Sequence, residues 1–284
     1  MSPTALDRLR ARRAVVGAPL CLGVDPHPDQ LPDGLGPDAD GIEAFARGLL
    51  EAVTSDVVAV KINVAFFEAF GSAGWAALER VRGDVPAELL CLLDAKRGDI
   101  GSTAERYAAG LMGHLAADAV TLSPYLGEDA IEPFLAYEDR MVYLLARTTN
   151  DSAGRFQDLA ADGAAMHLHV ARWAAERWPD GRVGLVVGAT APGELDAIRS
   201  AVPGPGFLVP GVGAQGGDLD AAARSADGAW APGLISVSRG IAGASRGTDW
   251  REAAAAAASA LRARLDDAVL HSGSSTARAA ISEV

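Results

Sequence analysis

Asp94, Lys96 and Asp99 put two carboxylates and an ammonium within six residues of the run LLCLLDAKRGDIGSTAERY, Leu89 to Tyr107. Residues two apart at a strand end leave on the same face, so Asp94 and Lys96 are placed to act together. Asp99 lies past Gly98 on a turn and is free to point elsewhere. Gathering such charges is costly unless they neutralise one another or act on a ligand. An isolated D-x-K-x-x-D reads equally well as a solvated loop. Here the charges follow a buried-looking apolar strand and precede a helix signal, the position that faces the ligand in parallel α/β folds. Arg97-Gly98-Asp99 also spells the tripeptide of cell-adhesion ligands, but nothing else in the chain looks extracellular.

Further polar groups stand at the ends of other apolar runs: Asp25, Lys61, Ser123, Thr149, Gln215 and Arg239. Barrel enzymes carry their reactive groups at this rim, with phosphate sites recurring after the seventh and eighth strands. In PGVGAQGG, Gly211, Gly213 and Gly216 satisfy G-x-G-x-x-G. A dinucleotide site would need that pattern on the first turn, with an acidic residue ending the next strand. It follows the seventh strand instead, and the next ends in Ser236, Val237, Ser238 and Arg239. A phosphate cradle of backbone N–H groups, with Gln215 donating and Arg239 as a charged fork, fits better. His167 and His169 lie two apart in a helix signal and make a poor metal pair. His27 follows Asp25 in a loop at the mouth. Phe66, Phe67 and Phe70 read as core or subunit interface.

The elements that must position these groups alternate regularly. Strands are read at Leu20–Val24, Val57–Ile62, the run from Leu89, Ala119–Leu122, Val142–Ala146, Val183–Val187, Phe207–Val209 and Leu234–Val237. Helix signals fall at Ile42–Val53, Phe66–Leu78, Ser102–Ala116, Ile131–Tyr137, Leu159–Trp178, Pro192–Ser200, Leu219–Ala226 and Trp250–Leu265. Eight strand-then-helix units in order predict a single parallel (β/α)8 TIM barrel over residues 1–268. A doubly wound sheet would use fewer strands at this length. Residues 269–284 are small and polar and read as a flexible tail.

Composition narrows the partners. A net charge of −12 argues against general affinity for nucleic acid or anionic membrane, so an anionic ligand needs a local basic cluster. Cys21 and Cys91 sit in apolar runs and read as free buried thiols of a reducing cytosol. There is no signal-peptide core and no window near the roughly 18 apolar residues of a membrane span, so a soluble, cytoplasmic protein is expected.

DAKRGDIGSTAERYA closely resembles the signature of the orotidine 5′-monophosphate decarboxylase family, in its longer bacterial branch (type 2). LCLGVDPHPDQLP, VKINVAFFEAFG, RTTNDSAGRFQDL, FLVPGVGAQGG and SRGI resemble its other strand ends. The resemblance implies a catalytic Lys61-Asp94-Lys96-Asp99 array in a homodimer with shared sites. Asp99, with Ile100 and Thr103, would cross the interface. Asp25 and Lys61 would hold ribose hydroxyls, Thr149 the pyrimidine, and Gln215 and Arg239 the phosphate. Ile62 and Asp151 stand where this branch usually has proline, Ser236 where asparagine is common, and Thr149 where serine is more frequent.

The implied reaction is loss of CO2 from orotidine 5′-monophosphate with no cofactor and no metal, Lys96 delivering the proton to C6. A magnesium-dependent sugar-phosphate decarboxylase or aldolase of the same barrel group also carries D-x-K-x-x-D, but lacks the longer RGDIGSTA context. A silent nucleotide-binding scaffold would have lost a member of the array, and none is lost.

Overall fold

The computed structural model describes residues 3–190, 192–213 and 216–281, with side chains through residue 271. Among these residues eight parallel strands close into a barrel: β1 (Leu20–Val24), β2 (Ala59–Asn63), β3 (Leu90–Arg97), β4 (Ala119–Leu122), β5 (Met141–Arg147), β6 (Val183–Val187), β7 (Phe207–Val209) and β8 (Leu234–Val237). Each pairs with its neighbours in chain order, and β8 closes on β1 through Leu20↔Ile235 and Cys21↔Ser236. Parallel neighbours require crossovers, and helices outside the barrel supply them. The (β/α)8 barrel read from the sequence is the observed fold.

The strands are apolar on both faces because both are covered. Outward residues such as Ile62, Leu93 and Val120 pack against the helices, while Cys21, Leu92, Tyr143 and Leu208 fill the interior. That interior cluster also takes in Leu6, Leu9 and Val16 of a leading helix, Ala5–Val16, which therefore plugs the end of the barrel opposite the strand termini. Thr4 caps this helix in a reciprocal box with Asp7, and Gly17 ends it at φ 85°. Its four arginines mask the apolar stripe, and the sequence reading assigned no helix there.

Several helix signals resolve differently: the one over Phe66–Leu78 divides into helices Val64–Glu68 and Gly71–Gly83. The segment read as helix from Leu159 begins instead with a hairpin, Ala160–Ala161 against Ala164–Ala165, and the helix runs Met166–Arg177. Asp162 (φ 47°) and Gly163 (φ 80°) both take the left-handed turn that Asp-Gly favours in two-residue hairpins. His167 and His169 accordingly anchor this unit, reaching the carbonyls of Gln157 and Ala161 at 2.9 and 2.7 Å. The final helix, Trp250–Ile281, extends into the segment that reads as a tail. No helix among the described residues is long and apolar enough to cross a membrane.

Asp118, at the entry to β4, is the main charge at the plugged end. It is 1 % exposed. Its carboxylate accepts from Arg8 of the leading helix, from Arg140 at 2.8 Å and from the Cys91 backbone N–H at 2.9 Å, with Arg82 4.0 Å away. Charge gathered in this way at the closed face of a barrel serves stability, since barrel enzymes carry their reactive groups at the other face. Removing one partner of a buried ionic cluster leaves the others uncompensated. Asp118→Ala is therefore expected to destabilise the fold by about 3–5 kcal/mol in denaturant titrations, with turnover by the folded fraction unchanged. A loss below about 1 kcal/mol would show that the cluster is not holding helix to barrel.

Candidate active site

At the open end, the strand termini bring their polar residues to one cavity of about 470 Å³. Strand register does the placing. Gly23 pairs with Lys61, and Asn63 pairs with Asp94, so the ends of β1, β2 and β3 lie side by side. Lys61 and Asn63 are two apart on β2 and share its inward face, whereas Ile62 between them is fully buried outside the barrel.

The charged groups form one connected chain. Lys61 Nζ lies 3.1 Å from Asp94 Oδ2 and 3.8 Å from Asp25 Oδ1. Lys96 Nζ lies 2.7 Å from Asp94 Oδ1, and the Thr121 hydroxyl on β4 donates to that same oxygen at 2.8 Å. Asp25 in turn accepts from Asn63 Nδ2 at 2.9 Å and from the Ser238 hydroxyl. Gly23 makes room for that last contact, since a Cβ there would stand 2.0 Å from Ser238 Oγ.

Burial and pairing pull in opposite directions here, and pairing wins. Burial alone would raise the Asp94 pKa, but the Lys61 and Lys96 ammonium groups, with the Lys96 and Thr121 hydrogen bonds, hold it well below the usual carboxylate range. Burial likewise opposes the charge on Lys61, yet Asp94 and Asp25 keep its pKa above the ordinary lysine value. Lys61 is nearly enclosed, while the Lys96 side chain is 50 % exposed to the cavity. The first is fixed in place between its carboxylate partners, and the second is the more open to a ligand.

Of the residues singled out from the sequence, Asp25, Lys61, Asp94, Lys96, Thr149 and Arg239 line this cavity. Asp99, Ile100 and Thr103 do not. Asp99 Oδ1 instead accepts from the Ile100 N–H at 2.8 Å, Ile100 is 54 % exposed, and Thr103 is exposed on the first turn of the helix Gly101–Ala108. Gln215 lies outside the described residues. Ser123 does not line the cavity; its N–H continues the β3–β4 pairing by donating to the Arg97 carbonyl at 2.7 Å. His27 does line it, edge-on to Phe66 with ring centroids 4.5 Å apart. Sequence reasoning passed over Asn63, Thr121 and Ser238. Asn63 was legible two residues after Lys61 on the same strand, and Thr121 as a hydroxyl inside the otherwise apolar run Ala119–Leu122.

The arrangement offers ammonium groups beside a carboxylate in a polar cavity, with Arg239 also lining it at the start of a short helix. Such a site can bind an anionic group at Arg239 and stabilise negative charge developing near Lys96.

Residues 18–257 match the model of the orotidine 5′-phosphate decarboxylase / HUMPS family. The chain is 51% identical over 253 residues to the orotidine 5′-phosphate decarboxylase of Roseiflexus castenholzii, covering 88% of this chain and 93% of that protein. It is 43% identical over 251 residues to that of Herpetosiphon aurantiacus, again covering 88% of this chain and 93% of that protein. The solved Leishmania donovani OMP decarboxylase superposes with a TM-score of 0.78 at 38% identity, covering 91% of this chain and 98% of that one. Sequence and fold thus agree, and the chain belongs to the orotidine 5′-phosphate decarboxylase family.

Proposed function

We propose that Lys96 protonates C6 of the pyrimidine as this carboxy-lyase converts orotidine 5′-monophosphate into uridine 5′-monophosphate and CO2 in pyrimidine nucleotide synthesis. The observation that carries the reading is the unbroken Lys61–Asp94–Lys96 chain of ion pairs facing a single cavity. Departure of CO2 leaves a carbanion at C6 that the ring delocalises poorly. An ammonium held beside that carbon stabilises the charge as it forms and then supplies the proton. Asp94 faces the departing carboxylate, and their repulsion is relieved as CO2 leaves. No cofactor enters this scheme, because the chain's own charges serve it.

Asp25 and Lys61 hold the ribose hydroxyls in this reading, Thr149 contacts the pyrimidine, and Arg239 with Gln215 grips the phosphate. Binding energy from the phosphate, remote from the reacting carbon, then serves to close the site around it. Asp99, Ile100 and Thr103 act in the site of a second copy, in a homodimer. Their absence from their own chain's cavity and the exposure of Ile100 support that assignment. The two free, buried cysteines support a cytoplasmic location.

The direct test follows the fall in pyrimidine absorbance when the protein meets orotidine 5′-monophosphate, with and without a chelator. Turnover in both supports this reading; loss with chelator favours a metal-dependent relative. Lys96→Ala is expected to lower kcat by at least about 10²-fold, the lower end of what a general acid contributes. Arg239→Ala is expected to cost roughly 1.5–3 kcal/mol in binding the phosphorylated substrate and little for the unphosphorylated nucleoside. Equal losses for both would assign Arg239 to structure. Mixing inactive Asp99→Ala and Lys96→Ala proteins under free subunit exchange is expected to restore about a quarter of the wild-type sites, one intact site in each mixed dimer. No recovery after verified exchange would place Asp99 in its own chain's chemistry.

A further inference from the structure

The pairing between β3 and β4 breaks at the site. Register runs Leu93↔Val120 and then Arg97↔Leu122, so Asp94, Ala95 and Lys96 all stand opposite the single residue Thr121. Lys96 takes up this excess with φ 46°, a left-handed conformation that a residue with a side chain seldom adopts and that surrounding contacts must hold. Its N–H donates to Thr121 Oγ1 at 3.0 Å. The same hydroxyl lies 2.8 Å from Asp94 Oδ1.

We propose that Thr121 is a positioning residue for the decarboxylation, its hydroxyl fixing the backbone of Lys96 and the carboxylate of Asp94 in one geometry. This rests on the assignment of Lys96 and Asp94 to the chemistry. The direction of both bonds is dictated by valence. A backbone N–H can only donate, so the hydroxyl accepts from Lys96 and its one proton goes to Asp94. Lys96 Nζ then closes a ring by pairing with that same Asp94 oxygen at 2.7 Å. The long, half-exposed lysine is thereby held at its backbone through Thr121 and at its tip through Asp94. Thr121 itself is 1 % exposed on a central strand, and its branched Cβ restricts χ1, so the anchor has little freedom.

Three variants separate positioning from packing. Thr121→Val keeps the shape, removes both hydrogen bonds and leaves the Lys96 N–H without its acceptor. Displacement of a reacting group by about 1 Å costs up to about 10²-fold in rate, so kcat is expected to fall about 10- to 100-fold while KM changes less than about threefold. Thr121→Ser, which retains the hydroxyl, is expected to recover kcat to within about fivefold of wild type. Thr121→Ala reads the same loss if the valine variant melts below the assay temperature. A valine or alanine variant with wild-type kcat overturns the inference, as does a serine variant as impaired as the valine one, or a loss confined to KM. Lys96→Met run alongside isolates the underlying assignment. If it retains turnover, the role of Lys96 falls; if it is inactive while Thr121→Val turns over normally, only the role of Thr121 falls.

Discussion

The carboxylate of Asp94, held between two ammonium groups in a nearly enclosed position, is the constraint around which this molecule is arranged. A buried carboxylate is costly alone, and a buried lysine such as Lys61 is equally so. Each is tolerable only because strand register delivers the other to within 3.1 Å. The array must also stay charged wherever the enzyme works. Asp94 has its pKa depressed, so its stabilisation is fully present above the ordinary value of 3.8 and is lost as pH falls below it towards the folded value. Lys61 has its pKa raised, so its stabilisation is fully present below 10.5 and is lost as pH rises above it. Between those limits neither group titrates, and the pair acts as a permanent dipole.

One strand pair carries both the Asp118 cluster and the residues proposed for the chemistry. Asp118 enters β4 among three arginines and ties the leading helix to the barrel floor. Three residues later Thr121 lies on the cavity, against the carboxylate and the strained backbone of Lys96. The lower cluster is closed, with its acceptors taken up by guanidinium and backbone donors. The upper one leaves an ammonium half exposed to the cavity. A barrel permits this division, since its packed interior separates the two faces and each can be set without disturbing the other.

Much of this was legible in the sequence because its signals are local. Strands buried on both faces read as short apolar runs, and the bounds of β1, β4, β6, β7 and β8 coincide with those runs. Charges ending such runs had to lie at one rim, which located Asp25, Lys61, Asp94 and Lys96. What was missed depends on pairing across distance. The three-against-one register opposite Thr121 belongs to two strands at once and leaves no periodicity in either. The leading helix was hidden by arginines whose partners, Asp118, Thr54, Val57 and Trp230, lie far along the chain. The Asp162-Gly163 turn was a local signal that the longer apolar spacing around it outweighed.

Three of the positions read from the sequence as departures from the family pattern, Ile62, Asp151 and Ser236, fall where the array of charges can tolerate them. Ile62 is fully buried but faces the helices, because it alternates with Lys61 and Asn63 along β2. It can therefore alter how β2 meets its helix without turning Lys61 away from Asp94. Asp151 is exposed in the loop after β5 and bears on the path of that loop alone. Ser236 is different, since it lines the cavity and pairs across the barrel seam with Cys21. A Cβ on Gly23 would stand 3.3 Å from Ser236 Oγ as well as against Ser238, so both serines crowd the same point of β1. A small side chain at 236 leaves Ser238 the space to hold Asp25, and Asp25 is the second carboxylate that keeps Lys61 charged. Ser236 thus preserves the far end of the chain of charges that runs from Asp25 through Lys61 and Asp94 to Lys96.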